Sequence, residues 1–240
     1  LGAGEKENAD RSAAQGLRLS LLHGALLSVG GFLCIPYFLP LFTSDARILD
    51  WGMEYAYIVL SFSMVITVQI AFEKIYQAVG NMLVPMVCMA AGCITNIILD
   101  PVFIFGLGPI PRLEVKGAAI ATVIGQVVTL ILYLIWYFCK DMGLSLGRRN
   151  MKLTGEICGK LYTVGVPCSL TMGLPSLLIT VLNGFAAAFS PIYILILGVY
   201  FKLQSFIYLP ANGIVQGMRP ILSYNYGAGE KKRMRRIIQI

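Results

Sequence analysis

The chain reads LGAGEKENADR at residues 1–11 and YGAGEKKRMRR at residues 226–236. The five residues GAGEK are identical in the two copies, and an arginine follows in register at positions 11 and 236. A repeat at a fixed offset indicates two copies of one structural unit in a single protein. The nature of that unit depends on the sequence between the copies.

Composition places the chain in a membrane. It is 57% hydrophobic and 13% charged, with a mean hydropathy of +0.75. Soluble domains carry about 25% charged residues. The six cysteines lie in or beside apolar runs without a Cys-x-x-Cys pair, so neither a zinc site nor a disulfide framework is indicated. We therefore predict an all-α, polytopic membrane helical bundle.

Six segments are long enough to cross roughly 30 Å of hydrocarbon. The predicted spans are at about residues 19–44, 51–79, 83–107, 117–139, 161–189 and 191–224. The last two come from one charge-free run that is too long for a single helix, and Ser190-Pro191 is its natural break. Pro210 and Pro220 fall inside the last span, where neighbouring helices can satisfy freed backbone groups.

Basic residues are concentrated on alternate loops. With the first loop inside, fourteen of the 19 Lys and Arg lie inside, three lie outside, and Lys202 and Arg219 fall within the last span. The positive-inside rule places residue 6, residues 148–149 and residues 231–236 in the cytoplasm. We expect anionic lipid of the cell (inner) membrane, and no nucleic acid, to face these charges.

The repeat then has a structural meaning. Six spans separate the two copies, so both lie on the same membrane face. This fits a parallel repeat of six helices related by an axis along the membrane normal, in a protein of roughly 450 residues and twelve helices. We expect residues 1–153 to hold spans three to six of one lobe and residues 154–240 to begin the other. The partners of these spans would be the missing spans of the full-length chain.

Gln69, Glu73 and Gln77 form one helical stripe on the second predicted span, at intervals of four residues. Polar residues inside a membrane usually face a bundle interior or a wet cavity. Glu73 lies near the cytoplasmic end. It is either a capping or snorkelling carboxylate paired with Lys74 or a proton-linked carboxylate.

Asn96 and Asp100 have the same spacing on the third span, and Pro101 follows directly. Asp100 either anchors backbone groups freed near the proline or couples an ion. On the fourth span Gly117, Ala121 and Gly125 recur at intervals of four, which predicts a close helix-packing face.

Lys202 lies about 11 residues into the last span, roughly 16 Å deep at 1.5 Å per residue, with Gln204 and Ser205 nearby. A charged lysine at that depth costs at least about 2.5 kcal/mol on insertion scales. Lys202 therefore either handles substrate or protons or forms a structural ion pair with another helix. We expect its side chain to point between the lobes.

Three stretches carry a family resemblance. NIILDPVFIFGLG (96–108) followed by VKGAAIATVIGQ (115–126) resembles the end of the fifth span and the start of the sixth in multidrug and toxic compound extrusion (MATE) transporters. GVYFKLQSFIYLPANGIVQGMRPILSYNYGAGEKKR (198–233) resembles that family's eighth span and the following loop. LGAGEKENADR resembles the loop after its second span, and the pattern is similar to the subgroup of DNA-damage-inducible protein F.

The resemblance implies an antiporter that exports amphiphilic, often cationic drugs or toxins in exchange for H⁺ or Na⁺, with no cofactor. The family's ion-coupling acid lies on a first span that this chain lacks. Some members carry an acid on the seventh span, where this chain has Asn183 as its most polar interior residue. The candidate pathway residues are Lys202, Gln204, Asn183, Gln69, Glu73, Asp100 and Asn96.

Two other functions were weighed against antiport. A lipid-linked oligosaccharide flippase of the same wider superfamily would need a cationic cavity for pyrophosphate, which Lys202 and Arg219 could begin to form. A membrane-embedded enzyme would need a catalytic cluster. The sequence has one histidine and no His/Asp/Glu constellation, so we expect no enzymatic activity.

Overall fold

The computed structural model describes residues 1–41, 45–107, 111–147 and 149–239, and these residues form helices joined by short loops, with no strand among them. The helices are α1 (Lys6–Phe38), a 3₁₀ helix (Leu39–Leu41), α2 (Ala46–Ser61), α3 (Ser63–Ala78), α4 (Leu83–Phe105), α5 (Glu114–Cys139), α6 (Gly155–Phe189), α7 (Pro191–Gly227) and α8 (Lys231–Gln239).

The predicted membrane bundle is confirmed. Within the described ranges, five helices are long and apolar enough to cross a membrane. The pair α2 and α3 makes a sixth span if the two are counted together, because they meet at a bend of 53°. An all-helical chain suits lipid because a helix satisfies its own backbone groups.

The first helix begins earlier than predicted. α1 starts at Lys6, thirteen residues before the predicted start at residue 19. Its polar first turns are held by the loop after α5: Ser145 N donates to Asp10 Oδ1 at 2.9 Å, and Arg18 Nη1 donates to the Met151 carbonyl at 3.1 Å. Hydropathy alone marks only the apolar part of such a helix. Residues 42–44, the end of this predicted span, lie outside the described residues.

The second predicted span is bent at Phe62, which separates α2 from α3. No proline or glycine lies at the bend. Instead, Ser61 Oγ donates to the Tyr57 carbonyl at 2.7 Å, a side-chain bond that often bends helices. The bend was not predicted because serine is a weak signal for it.

The predicted break at Ser190 is confirmed. Ser190 has extended backbone (φ −170°, ψ 147°) and ends α6. Its hydroxyl accepts a hydrogen bond from Ile192 N at 3.4 Å, so it also caps α7. Pro210 and Pro220 remain inside a continuous α7, as expected.

The helices form two compact units: a first unit, Lys6–Lys152, and a second unit, Leu1–Glu5 with Leu153–Ile240. The core of the first unit contains Phe72, Tyr76, Val84, Cys88 and Tyr133, all at most 4% exposed. Most side chains of α6 and α7 in the second unit are exposed.

The predicted small-residue packing face on α5 is also confirmed. Gly117, Ala121 and Gly125 are all buried. A Cβ placed on Gly117 would lie 2.6 Å from the Phe103 carbonyl, and one on Gly125 would lie 2.9 Å from the Gly92 carbonyl. The backbones of α4 and α5 therefore approach so closely that no side chain fits between them at these glycines.

The two GAGEK copies adopt the same local structure. Gly4 N donates to the Leu1 carbonyl at 2.9 Å, and Gly229 N donates to the Tyr226 carbonyl at 3.1 Å. Gly4 and Gly229 both have positive φ, 77° and 73°, a conformation that favours glycine. A helix begins two residues after each of these glycines. The sequence repeat is thus also a repeat of backbone conformation.

The two copies also touch each other, within the second unit. A Cβ placed on Gly2 would lie 3.1 Å from Ala228 N, and one placed on Gly227 would lie 3.2 Å from Ala3 N. The contact is reciprocal, which is the pattern that a two-fold axis produces. Both copies therefore lie at one end of the unit. The relation between complete six-helix halves stays a prediction.

Substituting Gly2 by valine is expected to loosen this contact, because a Cβ there would collide with the Tyr224 carbonyl oxygen. Backbone atoms relax poorly, and overpacking costs about 1–3 kcal/mol. Amide hydrogen exchange across residues 1–5 and 226–230 should therefore speed up by roughly fivefold or more. Gly16→Val is the control, since a Cβ on Gly16 has no neighbour within 4 Å. Equal exchange in the two variants would contradict the contact.

Candidate functional site

A partly open cavity of about 130 Å³ lies between α3, α4 and α5 in the first unit. Five of its lining side chains are polar and come from three helices, and the rest of the lining is apolar or glycine. The polar residues are Gln69, Asn96, Thr122, Gln126 and Thr129. A polar cavity of this size is large enough for water or a small cation.

The close approach of α4 and α5 shapes one wall. Gly92 and Gly125 face each other across the two helices and both line the cavity. Thr129 Oγ1 donates to the Gly125 carbonyl at 2.9 Å, which leaves the hydroxyl oxygen able to accept. The small residues that allow the helices to meet thus also bring oxygen atoms to the cavity.

Gln69 supplies the most unusual atom of the site. Its side chain is only 6% exposed, and its Oε1 is buried without a hydrogen-bond partner. A buried polar atom left unpaired costs about 1–3 kcal/mol. Gln69 lines the cavity, but its unpaired oxygen is itself buried, so water or a cation in that space would bond it only after the side chain turns.

A carboxylate stands next to the cavity. Asn96 lines it, and Asn96 Nδ2 donates to Asp100 Oδ1 at 3.3 Å, one turn further along α4. Asp100 is partly buried. We expected freed backbone groups near Pro101 as possible partners, but a proline frees a carbonyl, which accepts and cannot bond a carboxylate. The side chain of Asn96 is the partner instead.

Glu73 is bound within its own helix. Lys74 Nζ lies 2.8 Å from Glu73 Oε1, and Gln77 Nε2 donates to the same oxygen at 2.9 Å. The Glu73 side chain is 13% exposed. This geometry is that of a carboxylate paired with Lys74 in the middle of the stripe that begins at Gln69.

Aromatic residues pack one turn beyond Gln69 and Thr129. Tyr133 is fully buried, and its ring lies 5.7 Å from that of Tyr76 and 6.4 Å from that of Phe72. The hydroxyls of Tyr76 and Tyr133 are also buried without a hydrogen-bond partner. The hydrophobic core of the first unit therefore begins directly beyond the cavity and contains two unpaired hydroxyls.

The remaining predicted residues lie in the second unit. Asn183 is half-buried on α6, and on α7 Gln204 is half-buried and Lys202 is exposed. The cavity thus brings Gln69 and Asn96 together, and Asp100 is bonded to Asn96. Asn183, Gln204 and Lys202 lie in the second unit.

Sequence reasoning missed Thr122, Gln126 and Thr129 on α5. They fall at i, i+4 and i+7, so they share one face of the helix. That periodicity was available in the sequence, but the same helix had been interpreted only for its small packing residues.

Within the described ranges no group of three or more His, Cys, Asp or Glu side chains is placed to hold a metal ion. The amide and hydroxyl oxygens that line the cavity are hard ligands, of the kind that bind water or a small hard cation such as Na⁺.

Comparison with known proteins agrees with the sequence resemblance. The MatE family profile matches residues 1–102 and 167–240. The multidrug export protein MepA of Staphylococcus saprophyticus is 32% identical over 171 residues, covering 70% of this chain and 36% of that protein. MepA of Staphylococcus haemolyticus is 26% identical over 221 residues, covering 92% of this chain and 48% of that protein.

Solved structures share the fold. A transporter of the MOP superfamily from Pyrococcus furiosus, described as having a binding pocket of reversed polarity, superposes with a TM-score of 0.90 at 25% identity. A multidrug resistance transporter of the MATE family in an outward-facing conformation superposes with a TM-score of 0.88 at 25% identity. Each match covers 98% of this chain and 52% of the other. The chain spans about half the length of these relatives or less. The comparisons do not favour the flippase alternative.

Proposed function

Because the chain belongs to the MatE family, whose members are transporters and not enzymes, we propose that it forms part of a secondary antiporter in the cell membrane. The antiporter exports amphiphilic drugs or toxins in exchange for H⁺ or Na⁺. The chain is a multi-pass membrane protein, and the curated relatives are named multidrug export proteins. Residues 1–153 would supply spans three to six of one lobe and residues 154–240 the first spans of the other.

The observation that carries the proposal is the polar cavity beside Asp100. An antiporter needs a site that is occupied in one state and empty in the other, so that the driving ion biases the two states differently. A partly buried carboxylate can take up a proton or contribute to a cation site. Gln69 and Asn96 line the cavity that such an ion or its water would occupy.

Alternating access supplies the rest of the cycle. Binding of H⁺ or Na⁺ near Asp100 would favour one opening of the two lobes, and binding of the drug would favour the opposite one. The ligand can shift this equilibrium only by its difference in affinity between the two states. The affinities of the ion site and of the drug site must therefore both differ between the two arrangements of the lobes. A coupling site inside a helix bundle meets this requirement.

The test uses the complete native gene product in liposomes. Imposed pH and Na⁺ gradients are applied separately, and export of a fluorescent amphiphile is followed against gradient-free vesicles. We expect one gradient to drive uptake or release and the other to have little effect. Transport that is insensitive to both gradients and ionophores would refute antiport.

A further prediction concerns orientation. Single cysteines at positions 6, 149 and 231 are expected to resist an impermeant maleimide in intact cells, because the positive-inside rule places them in the cytoplasm. The exposed native cysteines are first replaced. A cysteine at Arg112 is the matched control and should be labelled. Strong labelling of any of the three from outside would overturn the topology. Arg148, part of the same predicted loop, lies outside the described residues.

A further inference from the structure

One face of α7 carries six polar side chains between Lys202 and Ser223, with Leu209 among them on the same face. Its polar side chains recur at intervals of three, four or seven residues, so they fall within an arc of about 100° at 100° per residue. We call this set the α7 polar face: Lys202, Ser205, Asn212, Gln216, Arg219 and Ser223. All six are exposed in the second unit.

The opposite side of α7 is mostly apolar, although Gln204 and Asn225 also lie there. Its residues include Leu203, Ile207, Ile214, Met218 and Ile221. A helix that is apolar on one side and polar on the other separates lipid or protein core from a wetter space. In a membrane-crossing helix, the polar face therefore lines a water-accessible cavity or contacts another protein segment.

The α7 polar face carries positive charge only. Lys202 and Arg219 lie on it about 25 Å apart along the axis, and α7 contains no Asp or Glu. Neither cation forms an ion pair with any residue in the described part of the chain. The second unit has three acidic residues, Glu5, Glu156 and Glu230, and all three lie in loops or a first helical turn.

Glu156, the only one of these acids within α6 or α7, already has a partner, because Lys160 Nζ lies 2.7 Å from its Oε1. The cations of α7 are thus left without local neutralisation. A positively charged, polar surface on a membrane-crossing helix complements an amphiphile that carries a negatively charged group.

We propose that the α7 polar face binds amphiphiles that carry a carboxylate or sulfonate group, so that acidic compounds are the preferred cargo. The proposal rests on the transport function proposed above and narrows its substrate class. Lys202 with Ser205 forms a deep anion site, and Arg219 with Gln216 forms a second anion site nearer the Gly227 end. An anion would pass from one to the other as the lobes move.

Two other occupants make contrasting predictions. An acidic side chain from the rest of the transporter would neutralise Lys202 permanently and leave no preference for acidic cargo. An anionic phospholipid headgroup would make Lys202 important for lipid movement rather than for export of a soluble compound. The favoured occupant is a soluble amphiphile, because the polar face extends over about 30 Å, which exceeds the depth of a headgroup region.

The experiment compares two dyes with the same xanthene ring system, anionic fluorescein and cationic rhodamine 6G, in liposomes that contain the complete native protein. Imposed H⁺ and Na⁺ gradients drive export, and vesicles with fluorescent phosphatidylglycerol report lipid movement. We expect gradient-driven fluorescein export to exceed rhodamine 6G export. Lys202→Gln should lower fluorescein export by at least about tenfold, and Lys202→Arg should restore most of it.

Tyr200→Phe is the matched control, because it removes a hydroxyl two residues away on the opposite side of α7 and should leave export unchanged. If Lys202→Gln does not fold, equilibrium binding of fluorescein to detergent-purified wild-type protein and to Arg219→Gln replaces it. Weaker binding by Arg219→Gln, and weaker wild-type binding as salt is raised, are then expected. Equal affinities of the two proteins, or no fluorescein binding by the wild type, would overturn the proposal.

The outcomes separate the two proposals. Export of rhodamine 6G but not fluorescein would refute the preference for acidic cargo without refuting antiport. Fluorescein export that Lys202→Gln leaves unchanged would have the same meaning. Lys202-dependent movement of phosphatidylglycerol without fluorescein export also refutes that preference. If neither dye nor lipid moves under either gradient, the antiport function itself fails.

Discussion

Replacing Asp100 by asparagine is expected to abolish gradient-driven export, with a loss of roughly a hundredfold or about 2.7 kcal/mol of coupling. Asp100 is the one acidic residue of α4, is partly buried and accepts a hydrogen bond from Asn96 beside the polar cavity. An amide of the same shape takes up no proton and offers a cation no charge. The measurement is dye export from liposomes driven by the gradient that works for the wild type.

Three comparisons distinguish coupling from misfolding. Asp50→Asn makes the same chemical change at an exposed position on α2 and should export normally. Asp100→Glu keeps the charge and should retain part of the activity. Dye binding without a gradient should survive in Asp100→Asn. Wild-type export by Asp100→Asn would show that coupling does not use this carboxylate.

The spans could be predicted because lipid imposes a long apolar run on every crossing helix. The break at Ser190 was found because proline cannot continue a hydrogen-bonded helix, and the sequence places one there. The bend at Phe62 was missed because the only local feature beside it, the bond from Ser61 to its own helix, also occurs in helices that continue unbroken. The start of α1 was missed because contacts with the loop after α5 hold its polar turns.

The candidate site was only partly accessible from the sequence. Gln69, Asn96 and Asp100 are conspicuous because polar groups are rare inside apolar spans. That Gln69 and Asn96 line one cavity could not be predicted, because it depends on the way α3, α4 and α5 pack together. Thr122 and Thr129 were overlooked for a related reason: threonine is common in helices that cross membranes, and only the cavity distinguishes these two from the others.

The glycine contact behind the cavity leads to the second large effect. Gly92→Leu is expected to destabilise the protein by about 3 kcal/mol, because overpacking a close helix contact cannot be absorbed by small shifts. A Cβ on Gly92 would lie 2.8 Å from the Gly125 carbonyl oxygen and would also collide with Thr129 Oγ1. The rest of the leucine would enter the cavity. Export should be lost even in the fraction that folds.

Thermal unfolding of the purified native protein in detergent measures the effect, and a fall in Tm of roughly 6–12 °C is expected for a loss of this size. Gly30→Leu is the matched control, because Gly30 also lies inside a membrane-crossing helix but a Cβ there has no neighbour within 4 Å. The two variants add the same apolar side chain, so a difference between them reports the α4–α5 contact and not hydrophobicity. Equal melting temperatures would mean that α4 and α5 do not approach at Gly92, and the cavity would then lose the wall that defines it.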